Sequence, residues 1–143
     1  MQSEESMKME NKLKYLEFLQ NVITRMNSNS FLIKGWTITL VSALFALAAK
    51  DANPKFAMIS YIVIPIFWML DGYYLSIERQ YRALYCRVAL VKKDEDIDFC
   101  MNASGYNTED RTWVRASFSE TLLPFYGVLL FVVVVVMLFV SNK

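Results

Sequence analysis

Residues 31–75 read FLIKGWTITLVSALFALAAKDANPKFAMISYIVIPIFWMLDGYYL, and this stretch decides the fold. It holds two apolar blocks, Phe31 to Ala49 and Phe56 to Leu75, joined by the short polar segment 50–55. Each block carries one charge, Lys34 in the first and Asp71 in the second. Residues 31–49 make about 28 Å of α-helix, enough to cross a hydrocarbon core. A third block, Leu122 to Val140, has no charge and contains the unbroken valine run Val132 to Val136. β-Branched residues are weak helix formers in water. In lipid the backbone has no other hydrogen-bonding partner, so a helix is still expected. The pattern predicts an all-α membrane protein with three transmembrane helices. The 30 residues before the first block are too long and too polar for a cleaved signal peptide.

The rest of the composition agrees and removes whole classes of function. The chain has 143 residues, 55% of them hydrophobic and 20% charged. Soluble domains are less apolar and more charged than this. Histidine is absent, which excludes Ser-His-Asp and Cys-His catalysis and most zinc sites. Only 4 glycines occur, none close to another, so no phosphate-cradling glycine loop fits. A net charge of +1 argues against a general nucleic-acid binder. Cys86 and Cys100 make neither a disulfide framework nor a metal cluster, and reduced thiols are expected. No cofactor, metal or enzymatic activity is expected.

Basic residues set the orientation. Segment 1–30 carries Lys8, Lys12, Lys14 and Arg25; segment 76–119 carries Arg79, Arg82, Arg87, Lys92, Lys93, Arg111 and Arg115. The connection 50–55 has only two lysines. The positive-inside rule puts the two long segments in the cytoplasm, so the C-terminus lies outside.

Four segments follow: 1–30, 31–75, 76–119 and 120–143. Residues 1–6 are expected to be disordered. Over 7–28, Leu16, Leu19, Ile23 and Met26 recur at helical spacing, flanked by Tyr15, Phe18 and Val22. This amphipathic helix is expected to pack on the other cytoplasmic part rather than lie on the lipid surface. Asn27-Ser28-Asn29-Ser30 reads as a break supplying N-cap residues to the first span. That span carries small residues at steps of three and four: Gly35, Thr39, Ser42, Ala46 and Ala49. In lipid such a stripe is a close-packing face, for the second span or for a neighbouring subunit. Pro65 should bend the second span. Its helical pattern continues past Leu75 through Ile77, Tyr81, Leu84, Tyr85, Val88 and Val91, with Glu78 and Arg82 at pairing distance. One helix from Phe56 to about Lys92 is expected, projecting from the membrane. Residues 94–110 read as a loop and 108–118 as a short helix. Ser117 and Glu120 have capping-box spacing for the third span, and Pro124 suits its first turn.

Lys34 precedes the centre of the turn 50–55 by as many residues as Asp71 follows it. In an antiparallel hairpin the two sit at one depth. The leading reading is a structural ion pair that offsets the cost of burial. Snorkelling to the headgroups and a direct pore or gate role stay open. The basic cluster Arg79, Arg82, Arg87, Lys92 and Lys93 is read first as a topology signal that meets anionic headgroups. The second reading is a site for an anionic signal such as a nucleotide.

Two stretches resemble a known family: Arg25-Met-Asn-Ser-Asn-Ser-Phe-Leu-Ile-Lys-Gly-Trp-Thr and Phe67-Trp-Met-Leu-Asp-Gly-Tyr-Tyr-Leu-Ser-Ile-Glu-Arg-Gln-Tyr-Arg-Ala-Leu-Tyr. They look like small bacterial membrane proteins of anti-phage defence islands, similar to the two-span SLATT-like effectors. The resemblance covers residues 10–95. It implies a homo-oligomeric effector of the bacterial inner membrane that forms a pore or disrupts the bilayer. The trigger would be an upstream signalling protein or an anionic second messenger. The third span departs from the two-span pattern. The alternative is a membrane anchor or adaptor that recruits a cytoplasmic enzyme or sensor.

Overall fold

A computed structural model describes residues 2–51, 53, 55–91 and 97–141. Helix α1 spans Gln2–Asp51 and α2 spans Lys55–Leu90. They form an antiparallel hairpin that is the main packing unit of the molecule. The chain then folds back along α2 through 3-10 turns at Ser104–Tyr106 and Glu109–Arg111 and the single-turn helix α3, Trp113–Ser117. It ends in α4, Leu122–Ser141, which packs chiefly on α2 and touches α1 lightly. The described residues contain no strand. Three helices are long and apolar enough to cross a membrane, so this is an all-α, multi-pass membrane protein.

Helix α1 has 50 residues, about 75 Å of helix. Two expectations are corrected here. The helix reaches back to Gln2, into the segment expected to be disordered. The break expected at Asn27–Ser30 does not form. The reason lies in the face α1 turns to α2. Tyr15, Leu19, Val22, Ile23, Ser30, Ile33, Thr37, Val41 and Ala48 are all buried. Apart from the adjacent pair Val22 and Ile23, they recur at steps of three, four or seven residues, and the stripe continues on both sides of 27–29. A cap there would rotate the two halves of the stripe out of register with an equally unbroken α2. Packing on a continuous partner helix therefore overrides the weak local preference of Asn and Ser for caps. The backbone is helical without interruption across 30/31 and 75/76.

Helix α2 has 36 residues and runs on through Pro65. Proline donates no backbone hydrogen bond, so the Tyr61 carbonyl loses its usual helical partner. Glu78 Oε1 accepts from Arg82 Nε at 2.7 Å on this helix.

Two cores line the hairpin. At the polar end, Tyr15 and Leu19 of α1 meet Leu84 and Val88 of α2, closed over by Ile97 and Ala103. Water surrounds this end, so full burial of a side chain such as Leu19 is worth roughly 1.5–3 kcal/mol. Between the apolar segments, Val41, Ile64, Leu122, Tyr126 and Val133 form the second core. There lipid is as apolar as the core, and close packing with polar contacts must hold the helices together.

The returning segment is fastened to the hairpin by side chains that satisfy its carbonyls. Tyr15 Oη donates to the Cys100 carbonyl at 2.7 Å, and Tyr81 Oη to that of Met101 at 3.0 Å. Ser76 Oγ donates to the Arg111 carbonyl at 2.6 Å. Two tryptophans cross-bond α2 and α3: Trp113 Nε1 reaches the Met69 carbonyl at 2.8 Å, and Trp68 Nε1 that of Ser117 at 2.7 Å. A Cβ on Gly72 would lie 2.0 Å from Ser117 Oγ, so glycine permits this approach of α3 to α2.

Two local expectations are also corrected. The helix expected over 108–118 is a 3-10 turn and a separate five-residue helix, parted by extended Thr112. Ser117 does not cap α4; its hydroxyl donates back to the Trp113 carbonyl at 3.0 Å. Ser119 takes that place, its Oγ accepting from the Leu122 amide at 3.4 Å and its carbonyl from Leu123 at 3.0 Å. The carbonyl geometry makes Ser119 the start of α4 because Ser117 is already spent inside α3.

Candidate functional site: a polar cluster between three apolar helices

Asp71 sits on α2 within the second apolar block, and none of it is exposed. Three side chains converge on its carboxylate. Lys34 Nζ of α1 lies 2.7 Å from Oδ2. Tyr126 Oη of α4 donates to the same oxygen at 3.0 Å. Ser30 Oγ, also of α1, donates to Oδ1. Lys34 Nζ in turn donates to Ser30 Oγ at 2.8 Å. One carboxylate thus joins all three apolar helices.

Simple placement rules build the cluster. Ser30 and Lys34 are one helical turn apart and share a face. The hairpin brings that face to the level of Asp71. Tyr126 lies one turn into α4 and is completely buried. Its ring stacks on Trp68, one turn before Asp71, with centroids 5.7 Å apart and planes 8° from parallel. Thr37 is also buried but bonds its own helix, Oγ1 to the Ile33 carbonyl at 2.8 Å.

A lone buried carboxylate would be prohibitively costly. Here a cation balances the charge and two hydroxyls fill the remaining acceptor positions. The side chain of Lys34 keeps 24% exposure while that of Asp71 has none. The lysine therefore forms the only edge of the described cluster through which water or another ion could reach the carboxylate. The arrangement can hold three helices in register. It can also release them if the ammonium is drawn away. A nucleophilic role does not suit an aspartate with both oxygens engaged. Among the described residues, no three His, Cys, Asp or Glu side chains gather into a metal site.

Ser30 and Tyr126 were missed at the sequence level. Ser30 reads as part of a cap, and Tyr126 drew no reading. The available signals were the one-turn spacing of Ser30 from Lys34 and the only hydroxyl in the first two turns of α4.

The small residues Gly35, Thr39, Ser42, Ala46 and Ala49 are all exposed. The second span does not pack on them; α2 meets the opposite stripe of Ile33, Thr37 and Val41. Nothing lies within 4 Å of a Cβ built on Gly35.

The basic residues are divided. Arg82 pairs with Glu78, and Arg87 Nη1 donates to Tyr106 Oη at 2.9 Å. Arg79 shares a groove with Arg82 and with Arg111 from the returning segment. Lys92 and Lys93 lie outside the described residues. Both cysteines are free thiols, exposed to solvent.

No protein-family model matches the chain, and the searches of curated proteins and of solved structures returned no match.

Proposed function

We propose that this chain is the subunit of a homo-oligomeric effector of the bacterial inner membrane, acting in anti-phage defence as a gated pore or membrane-disrupting assembly. The observation that carries the reading is the unpartnered stripe Gly35, Thr39, Ser42, Ala46 and Ala49. In lipid a small-residue face has nothing to gain from acyl chains and much from a second helix backbone. Large apolar side chains beside it are also bare, with Phe31 77% and Trp36 60% exposed. The positive-inside count supports a cytoplasmic N-terminus and polar end, with the C-terminus in the periplasm. The apolar spans carry few polar groups, which supports a closed resting state opened by a signal rather than a standing aqueous channel. No catalysis is assigned to the chain.

The adaptor reading has its own support. The polar end has a core of its own, from Tyr15 to Ala103, and could serve as a platform for a cytoplasmic partner. One experiment separates the two. The purified chain is sized in detergent and in nanodiscs, and ion leakage is followed from vesicles and from cells with and without the neighbouring gene products. Oligomers that leak on stimulation support the effector. A monomer that never permeabilises a membrane overturns it and leaves the adaptor.

A further inference from the structure

We propose that Arg79, Arg82 and Arg111 form a binding site for a phosphate group, at the level where the hairpin leaves the membrane. The site goes beyond the effector reading and stands whether or not the chain makes a pore.

The three guanidinium groups line an open groove of about 680 Å³ together with Ala83, Cys86 and Tyr106. Two come from α2, one turn apart; the third comes from the 3-10 turn at Glu109–Arg111. The turn is pinned where it is by the bond from Ser76 Oγ to the Arg111 carbonyl. Arg111 is therefore held beside Arg79 by its backbone, leaving its side chain to face the groove.

The charge balance is uneven. Arg82 is oriented by Glu78, itself nearly buried, through Nε alone, which leaves its terminal nitrogens for another acceptor. Among the described residues, Arg111 reaches only the Tyr106 carbonyl, through Nη1 at 3.4 Å. Arg79 is half-buried and makes no hydrogen bond or ion pair among the described residues. Among the described residues, three arginines line the groove and no lining side chain is acidic. Like charges around one groove repel unless an anion joins them. Guanidinium forks match the geometry of phosphate oxygens and bind them in pairs. Arg87 is not part of this set, because it is taken up by the Tyr106 hydroxyl.

Depth narrows the source. Arg79 and Arg82 lie four and seven residues beyond Leu75, about 6 and 10 Å along the helix. The polar headgroup layer extends about 5–7 Å beyond the hydrocarbon core, so Arg79 lies within it and Arg82 at its water side. The phosphate could then belong to an anionic lipid headgroup or to a soluble phosphate compound entering from water. The same three arginines would read either.

Cys86 lines the groove and is exposed, so its alkylation reports occupancy. The full chain carrying Cys100→Ser is placed in phosphatidylcholine nanodiscs, and the alkylation rate is followed as sodium pyrophosphate is added. A parallel set of nanodiscs contains phosphatidylglycerol and no pyrophosphate. Slowing by pyrophosphate identifies a soluble source, and slowing by phosphatidylglycerol alone identifies a headgroup. Arg79→Gln and Arg111→Gln should each weaken the protection about tenfold, the loss of a charge-assisted contact. Lys55→Gln, at the other end of α2, should leave it intact. Arg79→Lys, which keeps the charge but loses the fork, should fall between. Circular dichroism and elution volume establish that the variants fold. The proposal is overturned if neither probe slows alkylation, if sodium chloride at equal ionic strength slows it as much, or if folded Arg79→Gln and Arg111→Gln remain protected.

Discussion

Lys34 Nζ lies 2.7 Å from Asp71 Oδ2, and the carboxylate it balances has no exposed surface. Removal of the ammonium leaves a buried charge with only hydroxyl donors. Lys34→Ala should therefore cost about 3–5 kcal/mol. Thermal unfolding in a single detergent measures it. Lys34→Asp combined with Asp71→Lys should recover much of what either reversal loses. A double variant no better than the singles would show that the pairing is not what stabilises the hairpin.

Among the described residues, Tyr126 is the sole tie of α4 to that carboxylate, at 3.0 Å. Tyr126→Phe keeps the ring stacked on Trp68 and removes one donor. A loss of roughly 1–3 kcal/mol is expected. Disulfide trapping between engineered cysteines on α2 and α4 should become less efficient, because α4 has only light contact with α1 to fall back on.

Gly72 faces Ser117 at a distance no Cβ can occupy, 2.0 Å from Oγ and 3.0 Å from Cα. Gly72→Ala must push α3 outward and strain both tryptophan bonds to the facing carbonyls. A cost of about 1–3 kcal/mol is expected, with a change in tryptophan fluorescence. Adding Ser117→Ala removes the nearest atom but not the backbone behind it, so only partial recovery should follow.

Tyr15 at the polar end is held above the ordinary tyrosine pKa, chiefly by burial and also by Cys100 and Asp98 nearby. The unfolded chain ionises near pH 10, and the folded chain does so only above that. Stability from this group is thus complete below about pH 10 and declines as pH rises through the folded value. The contact at risk is the bond to the Cys100 carbonyl. Hydrogen exchange at residues 97–103 should accelerate in that alkaline window, and Tyr15→Phe should flatten the dependence.

Ser42 and Ala46 lie on the exposed stripe of α1. Both positions are exposed, so the folded subunit should tolerate leucine at either. If copies associate through this face, Ser42→Leu and Ala46→Leu should shift the assembly toward monomers by sedimentation, and leakage should fall with it. Unchanged oligomers would place the contact elsewhere.

Sequence by itself determined the three apolar helices, because a backbone in lipid has no partner but its own helix. It also set Lys34 and Asp71 at one level, since both lie equally far from the turn and helical rise is constant. It did not determine that α1 is unbroken. Asn27 to Ser30 carries a genuine local preference for a cap, and only the match between the stripes of α1 and α2 outweighs it. Nor could it assign Tyr126 to Asp71, or Arg111 to Arg79. Those meetings join residues 32 or more positions apart, and they depend on where α4 and the returning segment dock on α2. Spacing along a helix carries no information about that docking. Tertiary packing decided it, through the absence of a side chain at Gly72 and the carbonyls caught by Ser76, Trp68 and Trp113.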